Sequence, residues 1–165
     1  MLDAAPGAAP APGDGMPDGM PDARQDWMSV LAKALPHEIE DVFADLGETP
    51  IYAFLRRPET GMVMIRGRAG GTGERFNMGE MTVTRCVVQA EDGAVGHGYV
   101  AGRDTRHAEL AALFDAMLQD EDRREGLLRR VVEPLRAAQA ARRRTASAKA
   151  AATRVDFFTM VRGED

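Results

Sequence analysis

The chain has few of the residues that build metal and redox centres. Its 165 residues include one cysteine, Cys86, and three scattered histidines. A lone cysteine excludes an intrachain disulfide and an iron–sulfur or zinc site made from cysteines of this chain. It also suits a reducing compartment, so we expect a cytoplasmic protein. Because the histidines show no zinc-ligand spacing, we expect the chain to bind no metal or cofactor by itself.

Long apolar runs and a basic amino-terminal segment are also absent. No window reaches the roughly 18 apolar residues of a membrane span, so we expect no membrane partner. The first basic residue is Arg24, which excludes the basic start of a secretory signal. Residues 1–23 instead hold five of the nine prolines, four glycines and four aspartates, a composition that predicts a disordered tail. Residues 24–165 are predicted to form one domain.

Charge is segregated along the chain. The net charge is −5, but residues 122–149 carry nine basic and three acidic side chains. Such a segment suits an acidic partner surface or a polyphosphate, and a solvated helix face explains it equally well. Nucleic-acid binding through Arg142, Arg143 and Arg144 is a third hypothesis. Because the predicted domain is close to neutral, we expect no nucleic-acid partner.

Apolar periodicity predicts helices on both sides of a β-rich middle segment. A helical pattern begins at Arg24 or Asp26, and Pro36 is placed to start a second helix that ends at Gly47. Asp104 is predicted to cap a third helix. A further helix begins near residue 122, where Pro134 should kink or restart it before a long helix over residues 136–152.

Alternating apolar residues and turn signals predict about four strands. They lie at residues 51–57, 62–68, about 78–90 and 94–101, separated by turns at Pro58–Gly61 and Asp92–Gly93 and by a glycine-rich loop. A two-residue turn at Asp92–Gly93 would pair Val88 with His97. The predicted fold class is α+β: an antiparallel sheet with two short amino-terminal helices and longer carboxy-terminal helices.

The glycine-rich loop is the first candidate for chemistry. Its Gly70, Gly71 and Gly73 precede Arg75, and their backbone N–H groups suit a phosphate. No Gly-Lys-Ser/Thr follows, so the loop is not a Walker A motif, and a flexible connection between strands is the simpler interpretation. His107 is a second candidate, as an acid, a base or a metal ligand. The alternative for His107 is a packing role, with its ring bonded to Asp104 or Glu109.

Two apolar groups suggest contact with other chains. The segment 150–165 is predicted to dock on a partner, because apolar residues near a chain end stay ordered only when something buries them. Four methionines of the β-rich part form either an adaptable contact surface or ordinary core: Met62, Met64, Met78 and Met81. The residues predicted to form a partner interface are Trp27, Arg154, Phe157, Phe158, Met160 and Arg162.

These motifs resemble those of a known family. The stretches Trp27–Ala32, Gly70–Phe76, Gly102–Asp104, His107–Glu109 and Arg154–Gly163 occur in the order found in the G-subunit family of the bacterial carbon–phosphorus lyase core complex, PhnG. The resemblance covers about 140 positions, from residue 24 onward. It leaves out the acidic tail.

The resemblance implies an accessory role in phosphonate breakdown. The family's G subunit assembles with the H, I and J subunits and acts with the L subunit. The complex transfers a phosphonate onto the ribose C1 of ATP, with MgATP as the substrate and adenine as the leaving group. No catalytic residue of the family carries over, so we expect no activity from the chain alone. The alternative is that Arg75 and His107 contribute directly to a phosphate-handling active site.

Overall fold

The computed structural model describes residues 20–48, 50–68 and 73–153. Within these ranges the chain forms an antiparallel sheet with the strand order β1-β2-β3 and five α-helices. The strands are β1 (Tyr52–Arg68), β2 (Arg75–Ala90) and β3 (Val95–Ala101); the helices are α1 (Met20–Lys33), α2 (Pro36–Leu46), α3 (Thr105–Met117), α4 (Glu121–Leu127) and α5 (Glu133–Ala152). The predicted α+β class is confirmed, with three strands in place of about four.

The helix ends follow the local signals of the sequence. Pro36 is the first residue of α2, and Gly47 ends that helix with a left-handed φ of 66°. The Asp104 carboxylate caps α3 by accepting a 2.8 Å hydrogen bond from the His107 backbone N–H. Helix α1 begins at Met20, four residues before the predicted start at Arg24, and Pro21 is tolerated there because it lies in the first turn.

The last helices form one nearly continuous rod with a widened turn. A π-helical turn, Leu128–Val132, separates α4 from α5. The ring of Pro134 would otherwise crowd the carbonyl of Arg130, four residues earlier, and a wider turn relieves that clash. The predicted interruption near Pro134 and the long helix after it are both confirmed.

The predicted turn at Pro58–Gly61 is wrong. β1 runs through these residues without a break and pairs with β2 from Tyr52 to Arg68. Two shifts in register between Phe54 and Glu59 absorb the irregularity. Proline is tolerated because β1 is an edge strand, where a missing N–H costs no ladder hydrogen bond.

The predicted register between β2 and β3 is wrong by one residue. His97 lies opposite Val87, and Val88 lies opposite Gly96. The Ala90 N–H donates to the carbonyl of Ala94 at 2.9 Å, which closes a three-residue loop in place of the expected two-residue turn. Gly93 has a φ of 90° in that loop, as in a turn that ends with a glycine bulge.

Helix α3 packs directly on the glycines of β3. A Cβ atom added to Gly96 would lie 1.9 Å from the Ala112 carbonyl oxygen, and one added to Gly98 would lie 1.9 Å from that of Ala108. Alanines at a four-residue spacing form the facing stripe of the helix. His97 and Tyr99 point away from α3 and are exposed.

A buried carboxylate joins α1, α3 and β3. Asp115 is fully buried and accepts hydrogen bonds from the Trp27 indole N–H at 2.9 Å and from the His97 backbone N–H at 2.9 Å. The Arg24 guanidinium donates to both of its oxygens, at 3.1 and 2.8 Å. A buried charge with this many donors is stable only because every donor points at it.

The basic segment of α5 is anchored on the first two helices. Arg136 forms an ion pair with Asp26 and lowers the pKa of that carboxyl group through its hydrogen bonds. Gln139 donates to the Val30 carbonyl at 2.7 Å, and Arg142 forms an ion pair with Glu38. Residues 143–153 are all exposed.

Candidate functional site

A two-stranded ribbon extends beyond the three-stranded part of the sheet. β3 pairs with residues 83–89 of β2, whereas residues 75–82 pair only with residues 62–68 of β1. We call these two stretches the ribbon. A two-stranded hairpin is only marginally stable in water without further packing. The ribbon is therefore the part of the described chain that would gain most stability from packing against another chain.

One face of the ribbon is apolar. Directly opposed residues of an antiparallel pair share a face, and here Val63 lies opposite Met81. Ile65 lies two positions after Val63 on the same face. The apolar face consists of Val63, Ile65, Phe76, Met78 and Met81.

A bulge adds Met78 to this face. The register shifts after Ile65, so that Gly67 lies opposite Phe76 and Met78 is left without a partner. A Cβ atom added to Gly67 would lie 2.2 Å from the Met78 sulfur, so the Met78 side chain covers Gly67 on the apolar face. Glycine at position 67 thus makes room for the methionine.

The apolar side chains of the ribbon are exposed. Phe76 is 48% exposed and Met78 is 64% exposed, and Ile65 and Met81 exceed one third. Met62 and Met64 of the opposite face are also exposed. Of the two interpretations of these methionines, ordinary core is therefore wrong. Several exposed apolar side chains on one face are typical of an interaction site.

The other face of the ribbon is basic, and we call it the basic face. Arg66 and Arg68 follow Met64 at two-residue spacing, and Arg75 lies directly opposite Arg68. Asn77 lies opposite Arg66, and Glu80 lies opposite Met64 on the same face. All three arginines are exposed. The ribbon thus carries its three arginines on the face opposite Ile65 and Phe76, and Met62 and Met64 share that basic face.

The structure does not bring the predicted catalytic candidates together. Arg75 is exposed at the start of β2, and His107 is 4% exposed in the first turn of α3. The His107 ring Nε2 lies 2.8 Å from the Leu31 carbonyl oxygen, so this histidine packs α3 against α1. The packing alternative correctly described its role, although the expected carboxylate partners of the ring were wrong. Gly70 and Gly71 lie outside the described residues, and Gly73 precedes β2.

Two further titratable groups are unsuited to chemistry near neutral pH. Cys86 is 1% exposed, and burial raises the pKa of its thiol to about 11. Burial and a hydrogen bond to Glu109 raise the pKa of Tyr52 to about 12. A thiol that stays protonated is a poor nucleophile, so Cys86 acts as a small core residue.

A shallow groove of about 310 Å³ lies between α1 and β3. Its walls are largely apolar, and His97 and Tyr99 lie at its edge. No acid–base pair faces it among the groups that line it. Across the described ranges, no cluster of histidine, cysteine and carboxylate residues has the arrangement of a metal site. None of the described helices is long and apolar enough to cross a membrane.

The predicted partner residues fall into two groups. Trp27 is 4% exposed and belongs to this chain's own core, which leaves its side chain almost no surface for another subunit. The remaining residues, Arg154, Phe157, Phe158, Met160 and Arg162, lie outside the described residues. The alternation from Val63 to Arg68 places Val63 and Ile65 on one face and Arg66 and Arg68 on the other, whereas the residues that β2 adds to each face were not predicted.

Comparison with known proteins identifies the family. The family described as "Phosphonate metabolism protein PhnG" matches residues 22–163, which include the whole ribbon. The chain belongs to the PhnG family. It is also 44% identical over 142 residues to a Rhizobium meliloti protein named alpha-D-ribose 1-methylphosphonate 5-triphosphate synthase subunit PhnG. That alignment covers 86% of this chain and 90% of the relative, so the PhnG resemblance inferred from the motifs is confirmed.

Proposed function

We propose that this chain is an accessory subunit of an alpha-D-ribose 1-methylphosphonate 5-triphosphate synthase and acts in phosphonate catabolism. The name of the Rhizobium meliloti relative and the length of the match support this role. In it, the chain assists transfer of a phosphonate onto the ribose C1 of ATP, with release of adenine. Other subunits supply the catalytic groups, and MgATP is the substrate of the complex.

The observation that carries an accessory role is the exposed apolar face of the ribbon. A partner that covers Phe76, Met78 and Ile65 would remove apolar surface from water, at about 25 cal/mol per Å². The described residues also lack a buried acid–base pair beside a cavity. Both features are expected of a subunit that contributes surface to an assembly and takes its chemistry from neighbouring chains.

The proposed partners are the H, I, J and L subunits of the carbon–phosphorus lyase complex, in the cytoplasm. We assign them two contact surfaces of this chain. One is the apolar face of the ribbon, and the other is the carboxy-terminal segment with Arg154, Phe157, Phe158, Met160 and Arg162. Helix α5 supports the second assignment, because its exposed last turns extend away from the contacts that Arg142 makes.

Co-purification tests the proposal. A tagged chain is co-expressed with the four subunits, and the captured chains are identified by mass spectrometry. The double substitution Phe76→Ser and Met78→Ser should reduce capture strongly. A control with Ile51→Ser and Leu55→Ser, which removes exposed apolar residues outside the ribbon, should not.

Two outcomes would count against the proposal in different ways. If the unaltered chain captures none of the four subunits, the accessory role fails. If the Phe76 and Met78 variant captures them as well as the unaltered chain, the role stands and the ribbon is not the contact. Circular dichroism of each variant establishes that its fold is retained.

A further inference from the structure

Three arginines form a compact group on the basic face of the ribbon. Side chains directly opposite each other in an antiparallel pair have Cβ atoms about 5 Å apart, which applies to Arg68 and Arg75. Arg66 lies two residues before Arg68 on the same strand and face, at about 7 Å. The three guanidinium groups can therefore reach a single small ligand.

No carboxylate of the described ranges balances these charges. Every ion pair formed there uses an arginine as the cation, yet none includes Arg66, Arg68 or Arg75. Glu80 shares the face but takes part in none of these pairs either. Arg68 directly opposite Arg75 is a like-charge arrangement that costs stability. A bound anion would remove that cost.

The residue type and the grouping favour a chain of phosphates. The planar guanidinium group donates two parallel hydrogen bonds to phosphate oxygens, and a lysine cannot reproduce this geometry. Three arginines whose neighbouring Cβ atoms lie about 5 and 7 Å apart match several adjacent phosphate groups better than one isolated carboxylate. The Rhizobium meliloti relative is named for the synthesis of a 5-triphosphate.

We propose that Arg66, Arg68 and Arg75 bind the triphosphate chain of the nucleotide substrate or product on the basic face of the ribbon. The choice of a triphosphate ligand rests on the proposed function. Contact of the apolar face with a partner leaves the basic face free, so the ribbon carries three positive charges toward the bound nucleotide. The arginines hold and orient the triphosphate, and the bond-breaking groups come from another subunit.

The binding test uses the full-length chain with three probes. Inorganic triphosphate and ATP should bind, adenosine should not, and affinity should fall as salt is raised. The triple substitution Arg66→Gln, Arg68→Gln and Arg75→Gln should weaken triphosphate binding by about tenfold or more, because each charge-assisted hydrogen bond that is lost contributes substantially to the affinity. A control with Arg103→Gln, Arg143→Gln and Arg144→Gln removes equal charge from exposed positions elsewhere and should bind normally.

Several results would overturn the arginine site. These are an unchanged affinity in the triple variant, an equal loss in the control, binding of adenosine as tight as that of ATP, or no binding of triphosphate at all. Tighter binding of a glutamate-rich peptide than of triphosphate would assign the face to an acidic protein segment.

A second measurement uses the assembled complex. There the triple variant should raise the KM for ATP about tenfold while all subunits still co-purify. An unchanged KM would reject the arginine site and leave the accessory role intact. Failure of the unaltered chain to co-purify with the other subunits would reject the accessory role. Binding of inorganic triphosphate to the isolated chain would still test the arginine site.

Discussion

The indole N–H of Trp27 donates a 2.9 Å hydrogen bond to the carboxylate of Asp115, which lies 88 positions later in the chain. This bond fixes α1 against α3, and the same carboxylate holds the β3 backbone at His97. The only tryptophan of the chain therefore has a structural partner inside the chain. Through Asp115, Trp27 connects α1 to the sheet from which the ribbon extends.

The first prediction concerns Asp115. The substitution Asp115→Asn removes the buried negative charge paired with Arg24 and replaces one acceptor oxygen with an NH2 donor, so it should lower the free energy of unfolding by about 3 kcal/mol. Urea unfolding of the full chain measures the change. Asp41→Asn, at an exposed position of α2, should have almost no effect. Equal stability of the two variants would contradict the structural role of Asp115.

The second prediction compares two glycines. A Cβ atom at Gly98 would collide with the backbone of α3, so Gly98→Ala should destabilise the fold by about 1–3 kcal/mol. Gly126 lies within α4 with open space around it, so Gly126→Ala should stabilise by about 0.5–1 kcal/mol. Thermal unfolding should show shifts of opposite sign. A Gly98→Ala variant as stable as the unaltered chain would show that α3 does not rest on β3 as described.

Several elements of the fold were predictable because short-range chemistry determines them. Asp104, Pro36 and Gly47 act at helix ends within a few residues, and each lies where the sequence placed it. The prediction of a turn at Pro58–Gly61 was wrong because an edge strand can contain turn-forming residues where its register shifts. The pairing partners that set this register cannot be read from the sequence of one strand. The predicted β2–β3 register was wrong because the loop has three residues, with Glu91 in addition to the predicted turn at Asp92–Gly93.

The candidate site was less predictable than the fold. Alternation separated Val63 and Ile65 from Arg66 and Arg68, and the pairing confirms that separation. The position of Met78 depends on a bulge, which leaves no clear signal in a single sequence. The hydrogen bond of the His107 ring to Leu31 joins residues 76 positions apart, so local spacing suggested nearby carboxylates in its place.

The third prediction concerns the thiol of Cys86. Burial raises its native pKa to about 11 from an ordinary value of 9.0, so the folded thiol should react slowly with a disulfide reagent at pH 8. In urea the same thiol should react fully within the mixing period. Rapid and complete reaction of the folded protein would show that Cys86 is accessible.

The same thiol affects stability at alkaline pH. Between about pH 9 and 11 the unfolded thiol releases its proton while the native thiol keeps it, so the free energy of unfolding should fall as pH rises. The variant Cys86→Ala should show a smaller decline over this interval. An identical decline in both proteins would contradict the raised pKa of Cys86.

The fourth prediction concerns the carboxy-terminal segment. Deletion of residues 154–165 leaves the α5 contacts through Arg136, Gln139 and Arg142 in place, so the unfolding midpoint should change little. Co-purification with the I subunit should be lost if the segment docks on a partner. Full assembly of the shortened chain would contradict that docking, while a large fall in the midpoint would show that the segment stabilises this chain itself.

The central claim is that this PhnG-family chain contributes to a synthase whose chemistry belongs to its partners. The most direct measurement is adenine release from MgATP and methylphosphonate by three preparations: the assembled complex, the complex without this chain, and the chain alone. We expect release only from the assembled complex. Release by the chain alone, or undiminished release by the complex that lacks it, would contradict the accessory role.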